Sequence, residues 1–227
     1  MAAAPVTNAE YLEFLDALVA RGDDALALRY APRDYHRDRE DASQLWGRRE
    51  DGTFFIAPDA DGDLWGPDWP VMMIDVPSAL AYLAWISERT GHAYRFPADL
   101  EWEKAARGVD RRVYPWGDHL DLTWAAVEYH DGVALVPADE RPVDCSPYGV
   151  LAMAGAVSEW CLEERDHPEP VGPWVEVPPL ALHENGHASR GGSWGSGKTS
   201  VRCATRGFSP AFRGMFTHGF RRVRSWP

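Results

Sequence analysis

The residues best suited to chemistry crowd a stretch near the C-terminus of this 227-residue chain. From Arg190-Gly-Gly-Ser-Trp194 to Gly219-Phe-Arg-Arg-Val-Arg224, glycines alternate with aromatic side chains and regularly placed arginines. Glycine permits tight turns and close backbone approach, and an arginine either pairs with a carboxylate or binds an anion. We therefore expect the functional site in this terminal stretch, residues 190–224.

The polar side chains of the terminal stretch have either a structural role or a role in binding or catalysis. Arg202, Arg206 and Arg221 are predicted to pair with the acids of the chain, because a buried guanidinium needs such a partner. If they instead point outward together, they favour an acidic ligand. Ser193 is a nucleophile by type, but no histidine and carboxylate can be assigned to it from spacing. Its hydroxyl is therefore expected to support the turn.

His183 and His187 have a spacing that would suit zinc on a helix. Two histidines four residues apart share one helical face, but Asn185-Gly186 lies between them and breaks a helix. The sequence therefore predicts no zinc site here.

An aspartate series earlier in the chain resembles a calcium loop. Asp59, Asp61 and Asp63 have the right alternation, but the glycine is misplaced and no glutamate stands at the twelfth position. We predict a turn instead, and expect residues 53–56 and 64–65 to be the two strands of a hairpin around it.

Composition excludes several classes of protein. The net charge of -12 and the pI near 5.1 argue against a nucleic acid partner, because phosphate binding needs a positive field. Three cysteines make no disulfide framework, which favours a reducing, cytoplasmic setting. No apolar run is long enough to span a membrane, and the first residues lack a signal peptide pattern. The length favours one domain over residues 1–227.

Local signals predict the helices that must support the terminal stretch. Thr7-Asn-Ala-Glu10 is a capping box that starts a helix ending at Gly22. Asp75 is predicted to cap a second helix that ends at Gly91. Asp99 is predicted to cap a third, short helix.

Weaker patterns predict the connections between these helices. Residues 25–49 are charged and only loosely periodic, which is typical of a solvated connection. Pro70-Val-Met-Met-Ile74 is predicted as a short buried strand, and Tyr114-Pro-Trp-Gly-Asp118 as a rigid aromatic turn. In the terminal stretch, alternation over residues 201–206 predicts a strand, followed by a loop over residues 207–218 and a closing strand over residues 219–224.

Six separated blocks resemble the sulfatase-modifying factor, or formylglycine-generating enzyme, family. Their order and spacing match over nearly the whole chain, which implies an α+β fold of low regular secondary structure, related to the C-type lectin fold. The blocks are Pro5-Val-Thr-Asn-Ala-Glu-Tyr-Leu-Glu-Phe14, Arg95-Phe-Pro-Ala-Asp-Leu-Glu-Trp-Glu-Lys-Ala-Ala-Arg-Gly108, Tyr114-Pro-Trp-Gly-Asp118, Met153-Ala-Gly-Ala-Val-Ser-Glu-Trp160, Arg190-Gly-Gly-Ser-Trp194 and Gly219-Phe-Arg221.

The resemblance also suggests a setting for the domain. Family domains usually carry an opening strand before the block that here begins at residue 5, so the domain is expected to lack that strand, as a clipped piece of a longer protein would. Family domains fused behind bacterial serine/threonine kinases are the most similar in two places. These are the block at residues 114–118 and the sequence Cys145-Ser-Pro-Tyr-Gly149. A kinase as fused or associated partner is the resulting expectation.

The family's metal chemistry does not carry over residue by residue. Its enzymes oxidise a cysteine in a Cys-x-Pro-x-Arg peptide with copper held by two cysteines, and those positions here are Ser196 and Val201. Because neither side chain is a soft thiolate, copper is not expected. The family's calcium block has Ala156 in place of its asparagine, which leaves Glu159 as a weak calcium remnant. We predict no cofactor, with calcium as the open alternative.

The resemblance implies that the loops of residues 195–218 form an exposed binding face. In lectin-like relatives these loops bind ligands, and some bacterial and phage relatives diversify them as variable proteins. We predict a non-catalytic module that binds a protein or peptide; the open alternative for the aromatic residues is that they turn inward. The predicted binding residues are Ser196, Lys198, Thr199, Ser200, Phe208, Ser209, Phe212, Met215, Phe216 and His218.

A metal-dependent oxidoreductase of the same family is the alternative function. It would need a different ligand set, since the cysteine pair is missing. Near the motif blocks only four side chains are suitable, namely His218, His187, Glu159 and Cys203.

Overall fold

The computed structural model describes residues 1–34, 43–59, 62–128, 135–164 and 186–224. In these ranges the chain forms four α-helices and a short 3-10 helix. They are α1 (Asn8–Ala20), α2 (Asp24–Tyr30), α3 (Val76–Thr90), α4 (Asp99–Arg107) and the 3-10 helix Leu122–Trp124.

The strands of the described ranges are short, and most contain two residues. They are β1 (Arg33–Asp34), β2 (Ser43–Gln44), β3 (Gly47–Arg48), β4 (Phe54–Phe55), β5 (Tyr94–Arg95), β6 (Ser158–Glu164), β7 (His187–Arg190), β8 (Arg206–Ser209), β9 (His218–Gly219) and β10 (Val223–Arg224).

A four-stranded sheet with the order β8-β7-β6-β9 lies at the centre. β7 pairs antiparallel with both β6 and β8, whereas β9 pairs parallel with β6. The other strands form two-stranded pairs, β1 with β2, β3 with β4, and β5 with β10. The predicted α+β class with sparse regular structure is confirmed.

Local signals predicted the start of α1 and both ends of α3 correctly. The Thr7 hydroxyl accepts the Glu10 N–H while the Glu10 carboxylate accepts the Thr7 N–H, so the capping box is present. Asp75 caps α3 by accepting the Ser78 N–H at 2.9 Å, and Gly91 ends that helix in the left-handed region. The turn at residues 114–118 is closed by two backbone hydrogen bonds between Tyr114 and Gly117.

Three predictions for the first half of the chain are wrong. The segment of residues 25–49 contains most of α2 as well as short strands, because the Ala27 side chain packs in the core and supports a helix. β4 pairs with β3 rather than with residues 64–65. The turn of the hairpin therefore lies at residues 49–53, before the predicted position. Residues 70–74 are buried as predicted, but only Pro70 makes a bridge, to Thr7.

The terminal stretch also differs from its predicted strands. Val201 and Cys203 are buried while Arg202 is exposed, so the predicted alternation in burial is correct. Residues 201–204 nevertheless form turns, and pairing begins only at β8, which starts at the last residue of the predicted strand and continues into the predicted loop. The predicted closing strand is divided between β9 and β10, which pair with β6 and β5.

Aromatic side chains from the N-terminal helices fill the core beside the sheet. The Tyr11 and Tyr82 rings stack with centroids 5.7 Å apart, and Tyr82 meets Phe220 edge to face at 5.4 Å. This contact ties α1 and α3 to the terminal stretch. None of the helices in the described ranges has the length and apolar character needed to cross a bilayer.

Candidate functional site

Two networks of ion pairs fix the terminal stretch to the rest of the fold. In the first, Arg190 on β7 pairs with Asp99, and its Nη2 lies 2.9 Å from Glu103 Oε2. Arg206 pairs with the same Asp99 at 3.1 Å. The prediction that Asp99 caps α4 is therefore wrong: Ala98 is the N-cap residue, and Glu101 accepts its N–H at 2.8 Å.

The second network surrounds Arg221, which is completely buried. Its guanidinium donates to both carboxylate oxygens of Glu159 at 2.7 and 2.9 Å, and to backbone carbonyls of Ala2, Ala3 and Leu151. Trp102 Nε1 donates to Glu159 as well, at 2.9 Å. Both oxygens of Glu159 thus have donors within the protein.

The Gly-Gly-Ser block packs directly under a neighbouring loop. A Cβ on Gly192 would lie 2.3 Å from the Ala154 carbonyl oxygen, so this position accepts only glycine without movement. Ser193 Oγ lies 2.8 Å from Ser196 Oγ, which also accepts the Ser193 N–H at 3.0 Å. In the described part of the chain no histidine or carboxylate bonds to Ser193, whose hydroxyl supports the turn. We call residues 190–193 and 219–221 the frame.

The two positions that correspond to the family's copper cysteines have other neighbours here. Val201 is fully buried in an apolar cluster with Tyr114, Val127 and Ala154. Ser196 is half-buried and engaged with Ser193. The space around these two positions is filled by alkyl and aromatic groups and by one hydroxyl pair.

The loops of residues 195–218, which we call the recognition face, present the predicted binding residues at different depths. Lys198, Thr199 and Phe216 are exposed. His218 is only 8% exposed and lies beneath the loops, so its predicted place on the surface is wrong. The half-buried residues are Ser196, Ser200, Phe208, Ser209, Phe212 and Met215.

Two of the predicted aromatic residues turn inward. Phe208 packs against the cluster around Trp102, and Phe212 packs against the main core. Phe216 is different because its ring meets Trp194 with centroids 5.6 Å apart, and its carbonyl accepts the Trp194 Nε1–H at 2.8 Å. This role of Trp194, which joins the two loops of the recognition face, was not predicted from the sequence.

A cluster of uncharged polar side chains lies beneath the recognition face, on the side of the central sheet that carries Trp160. His218 Nε2 lies 3.1 Å from Ser209 Oγ and 3.3 Å from Ser189 Oγ, and its ring packs on Trp160 at 4.7 Å. Burial lowers the pKa values of His187 and His218 to about 4. Both rings are therefore neutral near pH 7.

The four candidate ligands of the oxidoreductase alternative do not converge. His187 and His218 lie on the Trp160 side of the sheet, whereas Glu159 lies on the other side with Arg221. Cys203 is in a turn and packs near Trp102. Among the described residues no group of three or more His, Cys, Asp or Glu side chains is placed to hold a metal ion.

Of the earlier metal candidates, the structure describes Asp59, Asp63 and His187. Asp59 accepts the Asp63 N–H at 2.9 Å and the Trp65 Nε1–H at 3.1 Å, so its carboxylate closes the predicted turn. Asp61 and His183 lie outside the described residues.

Comparison with known proteins identifies relatives over the full length of the chain. The profile of the sulfatase-modifying factor enzyme 1-like domain matches residues 1–226. Hercynine oxygenase of Mycolicibacterium smegmatis is 29% identical over 96% of this chain and 50% of its own length. Serine/threonine-protein kinase Pkn1 of Chlamydia trachomatis is 28% identical over 96% of this chain and 31% of its own length. The chain thus spans half or less of these two relatives.

A third relative and two solved structures have the same scaffold. Formylglycine-generating enzyme of Mycobacterium tuberculosis is 30% identical over 70% of this chain and 62% of its own length. PvdO from Pseudomonas aeruginosa superposes with a TM-score of 0.68 at 24% identity, covering 98% of this chain and 78% of PvdO. Treponema denticola variable protein 1 superposes with a TM-score of 0.61 at 15% identity, covering 98% and 82%. Both structures support the fold, including its relation to lectin-like variable proteins.

Proposed function

The chain belongs to the sulfatase-modifying factor enzyme 1-like family, and from this premise we propose that it is a non-catalytic member that binds a protein or peptide through the recognition face. One observation carries the proposal. The exposed Lys198, Thr199 and Phe216 stand on loops that the buried frame holds in place. A rigid scaffold with aromatic and cationic side chains on its loops is suited to recognition, because little order must be imposed on binding.

The positions of the copper ligands support a non-catalytic function. Cu(I) prefers soft thiolate ligands, whereas Val201 offers no donor atom and the Ser196 hydroxyl is already paired with Ser193. The residues present do not fit copper. Calcium at Glu159 is disfavoured for a similar reason, since both of its oxygens accept hydrogen bonds from Arg221.

The oxidoreductase alternative draws on relatives whose names denote enzymes, namely hercynine oxygenase and formylglycine-generating enzyme. It would require the scattered His187, His218, Glu159 and Cys203 to act as one ligand set. Their separation across the sheet favours the binding function.

Selection from a display library of random linear peptides tests the proposal. We expect the purified chain to enrich a family of peptides that no longer binds a Phe216→Ser variant. Leu100→Ser is the matched control, because Leu100 is exposed on α4, outside the recognition face. Enrichment that is equal on all three proteins, or absent, would contradict recognition through these loops.

The kinase relative suggests the setting of this module. We propose that the domain acts fused to or beside a serine/threonine kinase in the cytoplasm, where its three free cysteines remain thiols. Purification of the tagged protein from its own organism should recover such a kinase with the wild-type chain, and recover less with Phe216→Ser. Recovery of no kinase in either case would argue against the association.

A further inference from the structure

The charges of this chain are divided very unevenly along its sequence. Residues 186–227 contain eight lysines and arginines and no aspartate or glutamate, whereas the other 185 residues carry 15 Lys or Arg and 35 Asp or Glu. A positive segment on an acidic protein creates a local field that attracts negative groups while the rest of the surface repels them.

Part of this positive charge is neutralised by ion pairs within the fold. Arg190 and Arg206 pair with Asp99, and Arg221 pairs with Glu159. Arg222 pairs with Glu10 at 2.7 Å. These four arginines take their partners from residues that precede the terminal stretch, and they add little charge to the surface of the loops.

Lys198 and Arg202 keep their charge at the surface of the recognition face. Both are exposed, and within the described residues neither makes an ion pair. Arg202 Nε donates to the Thr199 carbonyl at 3.2 Å, and Thr205 Oγ1 donates to the same oxygen. The turn that carries the two cations is therefore held in one shape before any ligand binds, which lowers the cost of binding.

An apolar side chain near the start of the loop that carries these cations supplies an anchor, since a Cβ on Gly195 would lie 3.7 Å from the Phe216 ring. Phe216 is 37% exposed and is braced by Trp194. An exposed acid, Glu128, borders the loops, because its N–H donates to the Ser196 carbonyl at 3.2 Å. A ligand that fits this arrangement has an apolar group for Phe216 and carboxylates for Lys198 and Arg202, and avoids Glu128.

We propose that the ligand of the recognition face is an acidic peptide segment with an apolar anchor residue. This inference rests on the proposed binding function and names its ligand class. Electrostatic complementarity gives specificity and speeds association. The excess of acids over the rest of the chain disfavours acidic peptides at other surfaces, so the uneven distribution of charge favours binding of the ligand at the recognition face.

The net charge of peptides enriched from the display library tests this proposal. We expect acidic peptides, whose affinity falls as the ionic strength rises. Lys198→Glu should weaken binding about threefold, as expected for an exposed pair, and Lys198→Glu with Arg202→Glu about tenfold. Glu128→Gln should strengthen it. Lys104→Glu is the matched control, because Lys104 is the other lysine of the chain and is exposed on α4.

The possible outcomes separate this inference from the binding function. Acidic peptides that lose affinity with Lys198→Glu but not with Lys104→Glu support it. Neutral or basic peptides that still require Phe216 would overturn the acidic ligand class while leaving the binding function in place. Equal losses with Lys198→Glu and Lys104→Glu would also overturn it, since net charge alone would then explain the effect. Failure to enrich any peptide would overturn both proposals.

Discussion

Arg221 in the frame and Lys198 in the recognition face are cations of the same terminal stretch, but they have different roles. Arg221 is fully buried and donates to one carboxylate and three backbone carbonyls. Lys198 is exposed. Buried charge must be paired, so removing one partner of an ion pair in the frame should destabilise the fold, whereas a change in the loops should not. Similarity to the family at the frame residues therefore indicates a shared fold and gives little information about the chemistry of the surface loops.

The largest difference between the two regions should follow loss of Arg221. Arg221→Met leaves Glu159 buried with Trp102 as its one remaining side-chain donor among the described residues, which should cost about 3–5 kcal/mol of the free energy of unfolding. Chemical denaturation measures this. The double variant Arg221→Met, Glu159→Gln removes the uncompensated charge and should recover part of the loss. No recovery, or a loss similar to that of Lys198→Ala, would contradict the structural role of the pair.

The same substitution, glycine to alanine, can be made at one position in the frame and at one in the recognition face. Gly192→Ala would press a methyl group against the Ala154 carbonyl and should cost about 1–3 kcal/mol of unfolding free energy. A Cβ on Gly197 would meet nothing within 4 Å among the described residues beyond its chain neighbours. Gly197→Ala should therefore change stability by less than about 0.5 kcal/mol. Equal effects in thermal denaturation would mean that the Gly-Gly-Ser block is not closely packed.

The neutral histidines beneath the face predict a dependence of stability on pH. Burial lowers the pKa of His187 from 6.5 to about 4, so between these values the unfolded chain binds a proton that the folded chain does not. Stability should fall as the pH decreases from 6.5 towards 4, by about 1.4 kcal/mol per unit for each such histidine.

His187→Phe isolates this contribution. The ring lies between Phe96 and Trp160, with centroids 6.1 and 6.2 Å away, so a phenylalanine fits the surroundings. Denaturation at several pH values should give a shallower acid slope for His187→Phe than for wild type, with His92→Gln, at an exposed position, as control. An unchanged slope would mean that His187 titrates normally.

The smallest effect on stability is expected in the recognition face. Lys198→Ala removes an exposed side chain and should change the unfolding free energy by less than about 0.5 kcal/mol. The same variant should weaken peptide binding. A large loss of stability would assign Lys198 to the frame and remove the distinction between the two regions.

The parts of the fold that depend on neighbouring residues could be predicted from the sequence. The capping box at Thr7 and Glu10, the Asp75 cap and the Gly91 stop all rest on bonds within a few positions. Asp99 was assigned wrongly because its partner, Arg190, lies 91 residues away along the chain. Ion pairs of this kind depend on the folded arrangement, which local spacing does not encode.

The burial of the predicted binding residues could be predicted only in part. Alternating burial at residues 201–203 followed from the pattern, but the burial of His218 depends on the ring of Trp160 packing against it. The inward turn of Phe208 and Phe212 likewise depends on distant core clusters. Trp194 belonged to a recognised motif, and its hydrogen bond to Phe216 could be found only in three dimensions.

Copper binding is the most direct test of the claim that this chain has the family's scaffold without the family's metal chemistry. Purified chain would be titrated with Cu(I) against a competing chelator, and a Cys-x-Pro-x-Arg peptide would then be assayed for aldehyde. We predict no stoichiometric copper and no aldehyde from wild type, and copper binding only after Ser196→Cys with Val201→Cys. One tightly bound copper per wild-type chain, together with aldehyde formation, would contradict the account.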